Sequence, residues 1–191
     1  KIDAYWTNAF GENPMHSVFY PKIINDAAFE RLSVLLSEGT IKSGGKIDKA
    51  NRYIQPTIMV DVGLDDAIMK DEIFGPILPV IAFEELSTAL EIIEQYEKPL
   101  ALYYYGPNKT AKEVMHKTSS GGACINDGLL HIANHNLPFG GVGNSGIGSY
   151  RGYDGFKCFS HSKAILQTPT WIDLPFKYPP FKWFNWIKKI V

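Results

Sequence analysis

Cys124 is followed closely by three side chains that could assist cysteine-based catalysis: Asn126, His131 and His135. A histidine beside a thiol can act as its general base. However, Cys124 falls within a β-favouring segment, where a thiol usually behaves as a small buried hydrophobe and reacts slowly. We expect a structural cysteine, and a cysteine hydrolase remains an alternative that faster alkylation of Cys124 than of Cys158 would support.

His131 and His135 also have the i, i+4 spacing of a zinc pair on a helix. The intervening residues lack the glutamate of the H-E-x-x-H pattern, and the two cysteines do not have C-x-x-C spacing. The sequence therefore predicts no metal site.

The glycine-rich run from Gly141 to Gly146 satisfies the G-x-G-x-x-G pattern of dinucleotide-binding turns. A genuine fingerprint follows a strand, opens a helix and has an acidic residue about 20 positions later. Here Pro138 precedes the run and Asp154 comes too early. We interpret the run as an irregular loop whose glycines allow close backbone packing.

Glu72 lies between Asp71 and the turn signal Gly75-Pro76. Its residue type alone predicts only a solvated loop carboxylate. Phe74, two residues later, could be an ordinary core phenylalanine.

Several segments together resemble aldehyde dehydrogenases, most closely the class 3 branch that includes the fatty-aldehyde enzymes. They are Glu-Ile-Phe-Gly-Pro at 72–76, Lys-Pro-Leu-Ala-Leu-Tyr at 98–103, Ser-Ser-Gly-Gly at 119–122, Pro-Phe-Gly-Gly at 138–141 continuing to Gly146, and Ser-Gly-Ile-Gly-Ser-Tyr at 145–150. The resemblance extends from about Phe10 to about Pro180. It implies a C-terminal part of such an enzyme, with the nucleophilic cysteine, the glutamate base and most of the dinucleotide domain upstream of Lys1.

The resemblance implies NAD or NADP as cofactor and oxidation of an aldehyde to its carboxylate. Glu72 would bind the ribose hydroxyls of the nicotinamide half, because an ionised carboxylate can accept both hydrogens of a cis-diol. Phe74 would lie behind the nicotinamide ring and restrict its position.

The same resemblance makes Phe139 an aromatic wall of the aldehyde pocket and Asn126 a support for its floor. Phe139 could instead be a core residue that anchors a loop. We assign no catalytic residue to this sequence and expect the 191 residues alone to be inactive. The alternative is a noncatalytic folding and dimerisation module derived from that family.

The composition excludes several classes of protein. The net charge of −1 leaves no broad cationic surface for nucleic acid. The longest apolar run, Ile77 to Phe83, is far shorter than the roughly 20 residues of a membrane-spanning helix. Two unpaired cysteines favour a reducing compartment and hence the cytoplasm.

Hydrophobic periodicity predicts a helix from Asp26 to Glu38, with Asp26 as its cap. Residues 44–49 are polar and contain glycine, which indicates a loop. The segment from Tyr53 to Val60 favours a strand but contains Pro56, so we expect an edge or irregular strand.

The next part of the chain alternates strands and helices. The predicted elements are a strand at Ile77–Phe83, a helix capped by Thr88, a strand at Ala101–Tyr105, a helix capped by Asn108, and a strand at Ala123–Ile125. This alternation predicts an α/β fold with a parallel, doubly wound sheet. Ligands bind beyond the carboxyl ends of such strands, so Asn126 is well placed for a site.

We expect three parts: residues 1–158 as the distal part of a catalytic domain, 159–170 as an oligomerisation segment, and 171–191 as an aromatic and basic tail. The second part contains a β-favouring stretch, Ala164–Thr168, which in the family pairs across a homodimer. The tail could cover its own subunit or a dimer mate, or rest at a membrane surface. Pro175, Pro179 and Pro180 favour the first arrangement, because they interrupt any long helix.

Overall fold

The computed structural model describes residues 1–181 and 188–189, apart from the side chain of Phe176. The chain divides into two units, Lys1–Ala89 and Leu90–Val191. The division falls within helix α3, Leu86–Glu94.

The first unit combines two α-helices with five short strands. In chain order they are α1 (Ile2–Phe10), a 3₁₀ turn (Pro14–His16), α2 (Asp26–Leu35), β1 (Thr40–Ser43), β2 (Ile47–Asp48), β3 (Tyr53–Ile54), β4 (Thr57–Val60), a 3₁₀ turn (Ala67–Met69) and β5 (Ile77–Pro79). The helix predicted from Asp26 is confirmed, but it ends earlier than predicted. Its cap is Asn25, whose side chain accepts a hydrogen bond from the Ala28 amide at 2.8 Å, so the prediction of Asp26 as cap was wrong.

Strand β4 is the middle strand of a three-stranded sheet, ordered β1-β4-β5. It pairs antiparallel with β1 and parallel with β5. The prediction of an irregular strand is confirmed for the segment 53–60, which breaks at Gln55-Pro56 into β3 and β4 of different sheets. The alternative of an edge strand was wrong for β4, because Pro56 lies before this strand and removes no donor from it. Residues 44–49 are also not purely a loop, since Ile47 and Asp48 form β2 and pair with β3.

The core of the first unit lies between α2 and the sheet. Its fully or nearly fully buried members are Phe29, Leu32, Leu35, Ile54, Met59, Ile68 and Ile77. Burying each such side chain contributes roughly 1.5–3 kcal/mol. Of the apolar run Ile77–Phe83, β5 takes only the first three residues.

The second unit contains a parallel strand pair joined by a helix. Strand β6 (Ala101–Tyr104) and strand β7 (Gly122–Ile125) pair in parallel, with α4 (Asn108–Lys117) between them in sequence. Ala111 and Val114 form the buried face of α4. The predicted β-α-β unit is therefore confirmed. Two 3₁₀ turns, Leu130–Ile132 and Gly143–Ser145, and helix α5 (Gly152–Cys158) follow.

Two predicted helix caps were wrong. Thr88 lies inside α3, which begins at Leu86. Helix α4 begins at Asn108 itself, with Pro107 in the capping position and no side-chain capping bond. The mixed α/β architecture with parallel strands agrees with the predicted fold class.

Residues 160–169, which include the predicted oligomerisation stretch, have neither helix nor strand and are exposed. That stretch remains a prediction. In the tail, a 3₁₀ turn covers Pro175–Lys177, while Trp183, Phe184 and Trp186 lie outside the described residues. Among the residues that the structure describes, no helix is both long and apolar enough to cross a membrane.

Candidate functional site

The turn that carries Glu72 and Phe74 connects the 3₁₀ turn Ala67–Met69 to β5. It is fastened to α2 at one point, where Arg31 Nη2 donates to the carbonyl oxygen of Ile73 at 2.6 Å. At its end, the Thr57 amide donates to the Pro76 carbonyl at 2.9 Å, which starts the parallel pairing of β4 with β5. The turn is therefore held from the helix side and from the sheet side.

Gly75 lets this turn lie directly on the buried core. A Cβ atom at Gly75 would be 2.5 Å from Leu32 Cδ2 and 2.6 Å from Leu32 Cδ1. Leu32 is fully buried, so its side chain has no space into which to move. This close contact explains why glycine precedes Pro76.

Phe74 and Glu72 both face solvent in the first unit. Phe74 is 80% exposed and has a φ of +48°, a conformation that costs a non-glycine residue about 1–3 kcal/mol. Core burial does not explain it, so the interpretation of Phe74 as an ordinary core phenylalanine was wrong. Glu72 is exposed and makes no hydrogen bond or ion pair with any described residue, so both carboxylate oxygens are available as acceptors.

Asn126 directly follows β7, at the carboxyl end of the strand pair in the second unit. It adopts a φ of +55°, which asparagine tolerates better than most residues. Its Oδ1 accepts from the Gly106 amide at 2.7 Å and its Nδ2 donates to the Gly106 carbonyl at 3.0 Å. Asn126 therefore joins the ends of β7 and β6, and one N–H of its amide remains without a partner among the described residues.

Phe139 is half-buried and pairs with Tyr150 through an isolated antiparallel bridge. Both backbone hydrogen bonds between these residues are 2.9 Å long, and their rings meet edge to face at 5.8 Å. The guanidinium carbon of Arg151 lies 5.0 Å from the Phe139 ring centroid. The bridge thus fixes both the backbone and the ring of Phe139.

The glycine-rich loop after Phe139 packs backbone against backbone. A Cβ at Gly140 would lie 2.1 Å from the Gly148 carbonyl oxygen, and one at Gly141 would lie 2.1 Å from that of Ser145. The run forms a single 3₁₀ turn, Gly143–Ser145, and opens no long helix. The interpretation as a close-packed loop, rather than a dinucleotide turn, is confirmed.

Cys124 lies in β7 and contacts His131, with Sγ 3.3 Å from Nδ1. The other ring nitrogen, Nε2, is buried and has no hydrogen-bond partner among the described residues. His135 lies beyond the 3₁₀ turn that contains His131, so the two histidines do not share a helix face. In the described part of the chain, no three acidic, histidine or cysteine residues come together as a metal site.

Of the predicted site residues, Glu72 and Phe74 lie on one turn of the first unit, and Asn126 and Phe139 lie in the second unit. The ring of His131, on the loop after Asn126, is 6.3 Å from that of Phe139. Sequence reasoning missed Arg31 and Arg151. No local pattern identifies either, because their contacts are with residues 42 and 12 positions away in sequence.

Comparison with known proteins gives this chain a family. The aldehyde dehydrogenase family model matches residues 13–165. The chain is 45% identical over 179 residues to aldehyde dehydrogenase family 3 comG of Dictyostelium discoideum, which covers 92% of this chain and 38% of that protein. It is 44% identical over 174 residues to the dimeric NADP-preferring aldehyde dehydrogenase of Canis lupus familiaris, with 90% and 38% covered.

Solved structures show the same relationship. The substrate-bound AldH of Staphylococcus aureus matches with a TM-score of 0.83 and 39% identity, over 99% of this chain and 42% of that one. The chain spans about 38% of the length of the curated relatives named above. The family match and these identities agree with the motifs around Glu72 and Phe139, and the chain belongs to the aldehyde dehydrogenase family.

Proposed function

We propose that this chain forms the C-terminal part of an NAD(P)-dependent aldehyde dehydrogenase of class 3, which oxidises aldehydes to carboxylates. The observation that carries the proposal is the turn at Glu72 and Phe74. There, an exposed carboxylate without a partner and an exposed aromatic ring in a strained backbone conformation are held on a rigid support. Strained residues of this kind are concentrated at functional sites.

Glu72 would hold the cofactor by its nicotinamide ribose. When bound, NAD or NADP accepts the hydride of the aldehyde. A carboxylate that accepts both hydroxyl hydrogens of a ribose forms two charge-assisted hydrogen bonds, each worth about 1.5–3 kcal/mol. The canine relative is named as NADP-preferring.

Phe74 would limit the positions of the nicotinamide ring. Its ring is exposed rather than packed in the core, and the Arg31 bond to Ile73 holds the preceding peptide in place. A fixed ring position favours hydride transfer because the reacting atoms need not be oriented anew in each cycle.

Phe139 would form a wall of the aldehyde pocket, and Asn126 would support its floor. The contacts fit these roles: the bridge to Tyr150 makes Phe139 rigid, and the two hydrogen bonds between Asn126 and Gly106 fix the end of β7. Asn126 is thus a positioning residue.

The family's covalent mechanism needs a cysteine thiolate that attacks the aldehyde and a glutamate that activates water. We assign neither role to a residue of this sequence, so the 191 residues alone should not reduce NAD(P). This is tested by incubating the chain with an aldehyde and NAD(P). Turnover above a control without protein would refute the assignment.

A chimera tests the cofactor role. This chain would replace the matching segment of the canine relative, and the Michaelis constant for NAD(P) would be measured. Glu72→Gln should raise that constant at least tenfold, because it weakens both ribose hydrogen bonds. Asp71→Asn is the matched control, since Asp71 is the neighbouring exposed carboxylate. If the two substitutions raised the Michaelis constant for NAD(P) equally, Glu72 would not be a residue that binds the cofactor.

For assembly, we propose that residues 159–170 pair with a second copy of the chain. Ile165 and Leu166 are 78% and 92% exposed, an arrangement that leaves apolar side chains without a covering surface. Light scattering of the chain and of Leu166→Asp should give a dimer and a monomer, respectively. A monomeric unsubstituted chain would contradict this proposal.

A further inference from the structure

The ring of His131 lies directly on the backbone of Gly122. A Cβ atom at Gly122 would be 2.9 Å from His131 Cδ2 and 3.1 Å from His131 Nε2. Among the described residues, and apart from its chain neighbours, that Cβ would meet no other atom within 4 Å. Gly122 lies in β7 and does not have a positive φ, so its missing side chain serves close packing rather than backbone conformation. The imidazole therefore occupies the space that a side chain at position 122 would need.

Two further side chains hold the His131 ring against the strand pair. The sulfur of Cys124 is 3.3 Å from Nδ1 of His131, and Cys124 lies on the same face of β7 as Gly122, two residues earlier. Tyr103 pairs with Cys124 in the register of β6 and β7, and its ring meets the imidazole edge to face at 5.8 Å. The ring of His131 is therefore packed against one face of the β6-β7 pair.

The backbone also fixes the position of His131. The residue lies in the 3₁₀ turn Leu130–Ile132, where the Leu130 amide donates to the Gly128 carbonyl at 2.7 Å. Leu129, immediately before the turn, has a φ of +64°, a conformation that a bulky residue adopts only when its surroundings impose it. The segment that carries His131 is thus held in one particular conformation.

On its other side, the His131 ring contacts the ring of Phe139. The two centroids are 6.3 Å apart and the planes are inclined by 45°, within the usual distance of an aromatic pair. Among the described residues, the other ring contacts of Phe139 are with Tyr150 and Arg151, which directly follow the glycine-rich loop. His131 is therefore the ring contact that connects Phe139 to the β6-β7 pair.

We propose that His131 is a positioning residue, which sets the place of the Phe139 ring in the aldehyde pocket, and that Gly122 provides the space for it. The inference rests on the proposed function, since Phe139 is a pocket wall only there. His131 acts through Phe139 and need not touch the aldehyde. Because apolar contact grows with each buried methylene group, a displaced wall should affect long aldehydes more than short ones.

The contact is tested on the chain itself, with 4-fluorophenylalanine in place of Phe139 and its ¹⁹F chemical shift as the readout. His131→Ala removes the neighbouring ring, and Gly122→Ala displaces it, so both substitutions should move the signal. Gly122→Ala keeps the histidine and tests the same contact even if His131→Ala does not fold. His135→Ala, at an exposed position of the same loop, is the matched control and should leave the signal unchanged.

The double variant Gly122→Ala/His131→Ala shows whether the two residues act together. Without the imidazole, the added methyl group meets no atom of another side chain, so the signal should lie where His131→Ala alone puts it. A further shift in the double variant would overturn the role given to Gly122. If neither single substitution moved the signal, or if His135→Ala moved it as far, the contact between His131 and Phe139 would be rejected.

The effect on the reaction is measured in the chimera with hexanal and acetaldehyde. His131→Ala should raise KM for hexanal about fivefold, as expected for the loss of one aromatic contact, and KM for acetaldehyde less. The KM for NAD(P) and kcat should change less than about twofold, because a merely structural role would reduce the amount of active enzyme and lower kcat for both aldehydes without changing KM. His135→Ala should change none of these constants.

If KM for hexanal stayed the same, or if only kcat fell, His131 would not position the pocket wall, although the chimera is active. If the unsubstituted chimera folds but oxidises neither aldehyde, the proposed function fails and the positioning role fails with it. The ¹⁹F result would in that case still decide whether His131 and Gly122 determine the surroundings of the Phe139 ring.

Discussion

The side-chain amide of Asn126 pairs with both backbone polar groups of Gly106, accepting from its N–H at 2.7 Å and donating to its carbonyl at 3.0 Å. Gly106 follows β6 and Asn126 follows β7, so the amide ties together the ends of the two parallel strands. The loop that continues from Asn126 to His131 begins at this tie. Its geometry therefore depends on Asn126.

Asn126→Asp should loosen this connection. One carboxylate oxygen can still accept from the Gly106 amide, but the other replaces a donor and faces the Gly106 carbonyl. The loss should be about 1–3 kcal/mol, measured as faster hydrogen exchange of the Gly106 amide. Asn144→Asp adds the same charge at an exposed position and is the control. Equal protection of Gly106 in all three proteins would contradict the structural role of Asn126.

Gly75→Ala should destabilise the first unit. The added methyl group would meet Leu32 at 2.5 Å, and overpacking of this kind costs about 1–3 kcal/mol. The measurement is urea denaturation followed by tryptophan fluorescence. Gly155→Ala is the contrasting variant, because a Cβ there comes no closer than 4.0 Å to other atoms and lies within helix α5, where alanine is preferred. If Gly75→Ala had the same free energy of unfolding as Gly155→Ala, the turn at Gly75 would not be packed against Leu32.

Much of this architecture follows from local sequence. Helix α2, the unit β6-α4-β7 and the close-packed glycine loop were predicted, because apolar periodicity and the absence of a helix after Gly141 are local properties. The cap of α2 was misplaced by one residue: Asn25 and Asp26 both suit a cap, and only the backbone angles decide between them. Pro56 correctly indicated that the segment 53–60 is irregular, but the central position of β4 was not predicted, because its antiparallel partner, β1, has no strong strand signal of its own.

The candidate site was only partly predictable for a different reason. The motif around Glu72 identifies the turn, but nothing local predicts that Arg31 would hold it from α2. Phe74 could be read as a core residue because its type is apolar. Its exposure and its positive φ, which phenylalanine rarely adopts, have no signal in the local sequence. Arg151 escaped notice because its contact with the Phe139 ring depends on the bridge between Phe139 and Tyr150, which only the fold brings together.

Tyr20 gives the first unit a dependence on alkaline pH. Its hydroxyl donates to the Ile54 carbonyl at 2.6 Å. Burial raises the pKa of Tyr20 well above its ordinary value, and the nearby Tyr53 raises this pKa further. Because the folded-state pKa is raised, the contribution to stability is complete below the unfolded value of about 10 and is lost as the pH rises above it.

Tyr20→Phe should therefore cost about 1 kcal/mol at neutral pH through the lost hydrogen bond, and should reduce the loss of stability above pH 10. Urea denaturation at neutral and at alkaline pH measures both effects. Tyr5→Phe, at a position 72% exposed, is the control and should leave neutral stability unchanged. If the free energy of unfolding declined in parallel for the unsubstituted chain and Tyr20→Phe above pH 10, Tyr20 would not be the source of the pH dependence.

The two cysteines should differ in reactivity in the order opposite to that expected of a cysteine hydrolase. Cys158 is exposed at the end of α5, whereas Cys124 is half-buried in β7 with its sulfur against His131. Because access limits alkylation of a sulfur within a strand, iodoacetamide should modify Cys158 first, as followed by intact mass and peptide mapping. Reaction in urea, where both thiols are accessible, gives the reference rates. If Cys124 instead reacted faster than Cys158 in the folded chain, and if His131→Ala slowed that reaction, His131 would activate the thiol. That result would support the alternative that Cys124 acts as the nucleophile of a cysteine hydrolase.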